Sequence, residues 1–209
     1  MHLISVFIRQ SSSVCSFGSE SWVVLSPIEQ RIKAKIEAVG TPLKDWDIQI
    51  NYGIKTGFNE AFIISGEKRK ELIEQDPKSE EIIRPILRGK DIKRYGYNFA
   101  DKWLINTHNG VKEKGVKPIN IDNYSAVKNH LDKYYPELEK RQDKGDTPYN
   151  LRNCAYMEDF DKQKIVYPET TQGAYFVFDE KKMFIDKTCF MLISDKEKIS
   201  TSNTLFKII

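Results

Sequence analysis

The sequence predicts an α+β fold, a strand-rich, mostly antiparallel body with peripheral helices. Two patterns predict it. The second half of the chain is a series of short apolar runs rich in Ile, Val, Phe and Tyr, separated by turn-forming residues. Helical spacing is confined to a few segments with start and stop signals. Bulk composition agrees: 209 residues at 40% hydrophobic suit one large or two small domains with a real core.

The elements follow in order. Residues 1–20 read as a strand and then a Ser-rich link, "RQSSSVCSFGSE", expected to be a linker or the end of a preceding domain. "SPIEQRIKAKIEAVG" predicts a helix. Ser26 is the N-cap, Pro27 fits the first turn, and Glu29 completes a capping box. Ile28, Ile32, Ile36 and Val39 share one face, and Gly40 and Pro42 end the helix. "DIQINYGI" places Ile48, Ile50, Tyr52 and Ile54 on one side of a half-buried strand. "KTGFNE" turns at Gly57, and "AFIIS" returns as a strand. "GEKRKELIEQD" is a short helix stopped before Pro77, and "KSEEIIRPIL" a second brief helix. "KWLINT" is a strand and "HNG" a turn. "NYSAVKNHLDKYYPELEKRQD" supports one or two helices, with Val127, Leu131 and Tyr134 on one face. "KGDTPYNLRNC" is a loop. "KQKIVYPE", "AYFVFD", "MFIDK" and "CFMLIS" are strands, with "DEKK" as a hairpin turn between two of them.

Charge and cysteine usage exclude several classes. A net charge of +3 does not by itself announce a nucleic-acid partner. Cys15, Cys154 and Cys189 form no CxxC pair, and His2, His108 and His130 have no ligand spacing to them, so no metal site is expected. Reduced thiols in a cytoplasmic protein are the simple reading. "MHLISVFI" is too short for a membrane span.

Catalytic motifs are missing from the sequence. There is no GxGxxG, P-loop, GxSxG or HExxH. "DTPYN", residues 146–150, resembles in part the Asp/Asn-Pro-Pro-Tyr motif of amino-methyltransferases, but Thr147 stands where the first Pro belongs. "DEKK", residues 179–182, contains an acid-x-Lys triplet. With Asp161 it would give a small metal-dependent nuclease using Asp161, Glu180 and Lys182. A protein-interaction module of a phage-defence complex is a third reading.

A different pattern is stronger. Cationic, hydroxyl and amide side chains cluster on loops beside Gly and aromatic residues. "IKTGFN" offers Lys55, Thr56 and Asn59. "RPILRGKDIKRYG", residues 84–96, carries five Lys or Arg in one irregular segment, among them Arg88, Lys90, Lys93 and Arg94. "NTHNG" offers Asn106, Thr107, His108 and Asn109, and "RQDKGDTPYNLRN" offers Arg141, Lys144, Tyr149, Asn150 and Arg152. Lys and Arg neutralise phosphates, and Arg, Asn and Gln read base edges through paired hydrogen bonds. Together the clusters favour nucleic-acid binding over either rival reading.

These same stretches carry a resemblance. "IEAVGTPLKDWDIQINYGIKTGFNEAFII", "DPKSEEIIRPILRGKDIKRY", "WLINTHNG" and "KGDTPYNLRNCAYMEDFDKQKIVYPE" occur in that order. The sequence resembles the TaqI-like specificity (target-recognition) domain of type IIG restriction–modification enzymes and adenine-specific DNA methyltransferases. The resemblance implies that residues 21–209 are a DNA target-recognition domain, truncated at its C-terminus and non-catalytic by itself. It implies upstream methyltransferase and nuclease domains in the same polypeptide. S-adenosylmethionine and Mg2+ would bind there, with no cofactor in this chain. It also implies that Arg88, Lys90 and Lys93 hold phosphates or fix the scaffold, since a feature common to different targets encodes no one target. Thr170, Thr171 and Gln172, in "IVYPETTQGAYFVFDEKKMFI", are the candidate base readers.

Overall fold

The computed structural model describes residues 14–17, 22–42 and 45–194. The chain divides into two compact units, Met1–Asp47 and Ile48–Ile209.

In the first unit, β1 (Val14–Phe17) pairs antiparallel with β2 (Trp22–Leu25). β1 therefore occupies part of the stretch expected to be a Ser-rich link, and the expected strand nearer the N-terminus lies outside the described residues. The helix Pro27–Val39 follows. Its capping box is present: Ser26 Oγ accepts from the Glu29 N–H at 3.3 Å, and Glu29 Oε2 accepts from the Ser26 N–H at 2.7 Å. The apolar stripe is real but exposed, with Ile28 at 60%, Ile32 at 52% and Val39 at 89%.

The second unit holds two four-stranded sheets. One runs in the order β10–β9–β12–β3 and is antiparallel throughout. Its strands are β3 (Gln49–Tyr52), β9 (Lys164–Pro168), β10 (Val177–Asp179) and β12 (Cys189–Ile193). The other runs β11–β5–β8–β4, built from β4 (Ile63–Ser65), β5 (Ile83–Leu87), β8 (Lys102–Ile105) and β11 (Phe184–Ile185). Only β11 and β5 pair in parallel within these two sheets. A small hairpin, β6 (Ile92–Lys93) with β7 (Gly96–Tyr97), projects beyond β5. Helices Gly66–Gln75, Ser125–Asp132 and Tyr135–Lys140 lie at predicted positions.

The core is one cluster that joins both sheets. Phe62, Leu104 and Ile105 from the second sheet region, Val166 and Met191 from the first, and Val127 and Leu131 from a helix are all buried in it. The predicted α+β class therefore holds, as does the antiparallel character.

Three local expectations change. Along the expected face Ile48 is half-buried and Ile54 reaches the core, but Ile50 and Tyr52 in edge strand β3 stay 47% and 40% exposed. "KSEEIIRPIL" is a 3-10 turn (Pro77–Ile82) that becomes strand β5, because Ile83 and Ile86 fit a sheet and Pro85 cannot continue a helix. "DEKK" is a turn, with Lys182 at φ +58, but it closes no hairpin, because β10 and β11 belong to different sheets.

Candidate nucleic-acid interface

The segment 84–96 is irregular because it finishes one sheet and starts a hairpin. After β5, a single 3-10 turn at Gly89–Asp91 reverses the chain into β6. Arg88 is central to that turn. Its Nε and one terminal nitrogen donate to the two Asp91 carboxylate oxygens, each at 2.9 Å, and the Arg88 backbone N–H donates to Asp91 Oδ2 at 2.9 Å. Bidentate pairing of this kind fixes both groups. Asp91 is only 5% exposed, and its pairing holds the Arg88 guanidinium above its ordinary pKa. Of the two roles expected for Arg88, the geometry provides the scaffold role.

The turn is fastened to the turn before β12. Gly89 N–H donates to Thr188 Oγ1 at 2.7 Å. Thr188 Oγ1 donates to Asp186 Oδ1 at 2.5 Å, and Asp186 N–H donates to Leu87 O at 2.9 Å. A side chain at position 89 would place its Cβ 2.8 Å from Thr188 O, so only glycine permits this approach. Burial raises the Asp186 carboxyl, while its bonds from Thr188 hold it back.

Fastening these turns together makes a groove. It has a volume of about 750 Å3 and is lined by Arg88, Lys90 and Lys93 from the one segment and by Glu169, Thr170, Thr171 and Gln172 from the loop after β9. Lys90 and Lys93 are exposed, and Lys93 Nζ donates to Lys90 O at 2.8 Å. Arg94 stands at the exposed hairpin tip, its guanidinium 5.2 Å from the Tyr95 ring centre. In the loop after β9, Thr170, Thr171 and Gln172 are exposed; the Thr171 hydroxyl donates to Gly173 O at 2.9 Å, shaping the loop. Two clusters far apart in sequence thus face one groove.

A second cavity, about 390 Å3, is lined by Lys55, Thr56, Asn59, Glu60, Asp143 and Lys187, among others. Lys55 Nζ lies 5.2 Å from the Tyr52 ring centre, and Asn59 is exposed. Thr56 is 3% exposed and donates to Asn59 Oδ1 at 2.6 Å, so it shapes the turn.

The other candidates line neither of these cavities. Arg141 is 7% exposed; its guanidinium donates to the carbonyls of Thr56, Asp143, Pro148 and Asn150 and covers the Phe62 ring. Burial pushes it down to about 10, still charged at neutral pH. Its hydrogen bonds go to protein carbonyls, which leaves little of it for a phosphate. Asn109, at 3% exposure, donates to Asp146 and Asn153. His108 is half-buried; its Nδ1 accepts from the Gly110 N–H, and burial lowers its pKa. Tyr149 donates to Asp132 at 2.6 Å, and its phenol is pushed up to about 12. Lys144 donates to Glu139 O, and Arg152 pairs with Asp143 at 3.2 Å on the surface.

The rival chemistries find no assembled site. In "DTPYN", Thr147 Oγ1 donates to Asn150 Oδ1, and buried Asn150 donates to Ile119 O at 2.9 Å, which makes the segment a structural turn. Asp161 lines a cavity with Glu81, Arg84 and His108, whereas Glu180 accepts from Gln163. The acid that anchors the 179–182 turn is Asp179, paired with fully buried Lys164 at 2.7 Å and accepting from the Met183 N–H. Among the described residues no group of three His, Cys, Asp or Glu could hold a metal ion. Burial pushes the Cys154 and Cys189 thiols up to about 11 and about 12, so neither is a ready nucleophile.

The second unit is thus a strand scaffold with an open groove lined by lysines and by hydroxyl and amide groups. The chain belongs to the TaqI-like C-terminal specificity domain family, which matches residues 84–208. Its fold is similar to part of the Type IIL restriction-modification enzyme MmeI, solved in complex with DNA, with a TM-score of 0.51 at 16% identity. That likeness covers 68% of this chain and 19% of the MmeI chain. Among the described residues, no helix is long and apolar enough to cross a membrane.

Proposed function

We propose that this chain is the DNA target-recognition domain of a restriction–modification enzyme, non-catalytic by itself. The parent would be a type IIG-like enzyme that methylates adenine. Its upstream methyltransferase and nuclease domains would bind S-adenosylmethionine and Mg2+. The setting would be the cytoplasm, and the partner double-stranded DNA.

One observation carries the reading: the groove that sets Lys90 and Lys93 against Thr170, Thr171 and Gln172. Lysines supply sequence-independent affinity for phosphates, and amide and hydroxyl groups supply base discrimination. A duplex can be held by one wall and read by the other. Family membership and the fold of a DNA-bound restriction–modification enzyme support the same reading.

The test is binding of the chain to a labelled duplex across salt concentrations. The expected affinity is near the non-specific range of roughly 10⁻⁴–10⁻⁶ M and falls steeply with salt. An affinity that ignored salt would contradict phosphate contact.

A further inference from the structure

The two cavities share one turn. Asp186 and Thr188 line the groove beside Lys90 and Lys93, and Lys187, between them in sequence, lines the cavity of Lys55 and Asn59. Lys187 belongs to none of the clusters visible in the sequence.

This turn is held rigidly from both sides. On one side, Ile54 N–H donates to Ile185 O at 2.7 Å and Gly53 N–H to Cys189 O at 3.0 Å. A Cβ on Gly53 would lie 2.1 Å from Asp186 O, so the "NYGIKTG" backbone is pressed onto the turn. On the other side, Gly89 N–H reaches Thr188 Oγ1, and Leu87 O accepts from the Asp186 N–H. The two lysine-bearing segments are therefore clamped to opposite flanks of residues 186–188.

Lysines outnumber the exposed, unpaired acids along this strip. Lys187, Lys90 and Lys93 are exposed, and Lys55 is half-buried. Asp91 is engaged by Arg88, Asp143 by Arg152, and Asp186 is only 8% exposed. Exposed Glu60 and Glu169 are the remaining acids in the two linings.

We propose that the two cavities form one continuous basic track for a DNA backbone, with Lys187 the phosphate contact that joins them. The inference rests on the DNA reading above and extends it. The partner is recognised by its phosphates, so the contact is indifferent to sequence.

The test uses the chain and a labelled random-sequence duplex, with affinity measured over a range of salt. Lys187→Ala should weaken binding several-fold and reduce the slope of log K against log salt by about 0.9, one phosphate's share. Lys187→Arg should restore both. Lys93→Ala reports on the groove, and Lys181→Ala, an exposed lysine in neither lining, reports on net charge alone. If Lys93→Ala lowers the slope while Lys187→Ala matches Lys181→Ala, the track is overturned and the DNA reading stands. If the wild-type chain fails to bind, or binds without salt dependence, both are overturned.

Discussion

His130 shows how one side chain ties this fold to pH. It is 6% exposed on the Ser125–Asp132 helix, and its Nε2 lies 2.9 Å from Ala61 O, so the nitrogen must carry a proton and donate. Burial, then nearby Lys68 and Lys133, lower its pKa from 6.5, although the Ala61 bond opposes them. The unfolded chain therefore binds more protons than the folded one just below that value. Stability contributed by neutral His130 is present above pH 6.5 and is lost as pH falls through and below it. The slope from one histidine is at most about 1.4 kcal/mol per pH unit. His130→Gln keeps an N–H donor and removes the titration. Denaturant unfolding between pH 7 and 5 should then show a shallower loss of stability, and an unchanged slope would remove His130 from the account. Burial lowers His108 as well, so part of the slope should remain.

At the scale of elements, polar clasps join segments that lie far apart in sequence. Arg141 follows the Tyr135–Lys140 helix and joins the 56–57 turn to the 143–150 loop through four carbonyls. Arg141→Ala would leave those carbonyls without their donor. The expected cost is about 2–4 kcal/mol, measured by denaturant unfolding. Lys144→Ala, on an exposed neighbour, should stay within about 0.5 kcal/mol. Equal effects would mean that the buried clasp carries no special weight. Much at this scale was legible in the sequence. Ser26 and Glu29 marked a helix start, Gly57 a turn, and the apolar runs most strands, because these are decided by residues within a few positions of each other. The pairing of those strands was not legible. β10 and β11 read as two arms of a hairpin, yet each finds its partner in a different sheet.

Across the whole molecule, the candidate site was legible in composition and hidden in assembly. Lys90, Lys93 and Gln172 were recognisable as residue types suited to DNA. That they share a groove depends on contacts such as Gly89 to Thr188, which spans 99 positions. The same long-range contacts explain why Lys187 escaped notice: alone it is one lysine in a turn. Arg141 and Asn109 show the converse, since a polar side chain that binds DNA and one that bonds within the protein look alike in sequence. The exposed stripe on the Pro27–Val39 helix makes the matching point for apolar residues, whose spacing sets a helix face but not what covers it.

In the proposed division of labour, lysines of the groove hold the duplex and the 170–172 loop reads it. This division is tested most directly in the full parent enzyme, by binding to a panel of single-base variants of its target at two salt concentrations. Lys93→Ala should weaken every sequence about equally and reduce the salt slope by about one unit. Gln172→Ala should cost about 1–3 kcal/mol on the cognate site, little elsewhere, and relax one target position. A change of preferred base on Lys93→Ala, or an intact preference at every position on Gln172→Ala, would contradict the account.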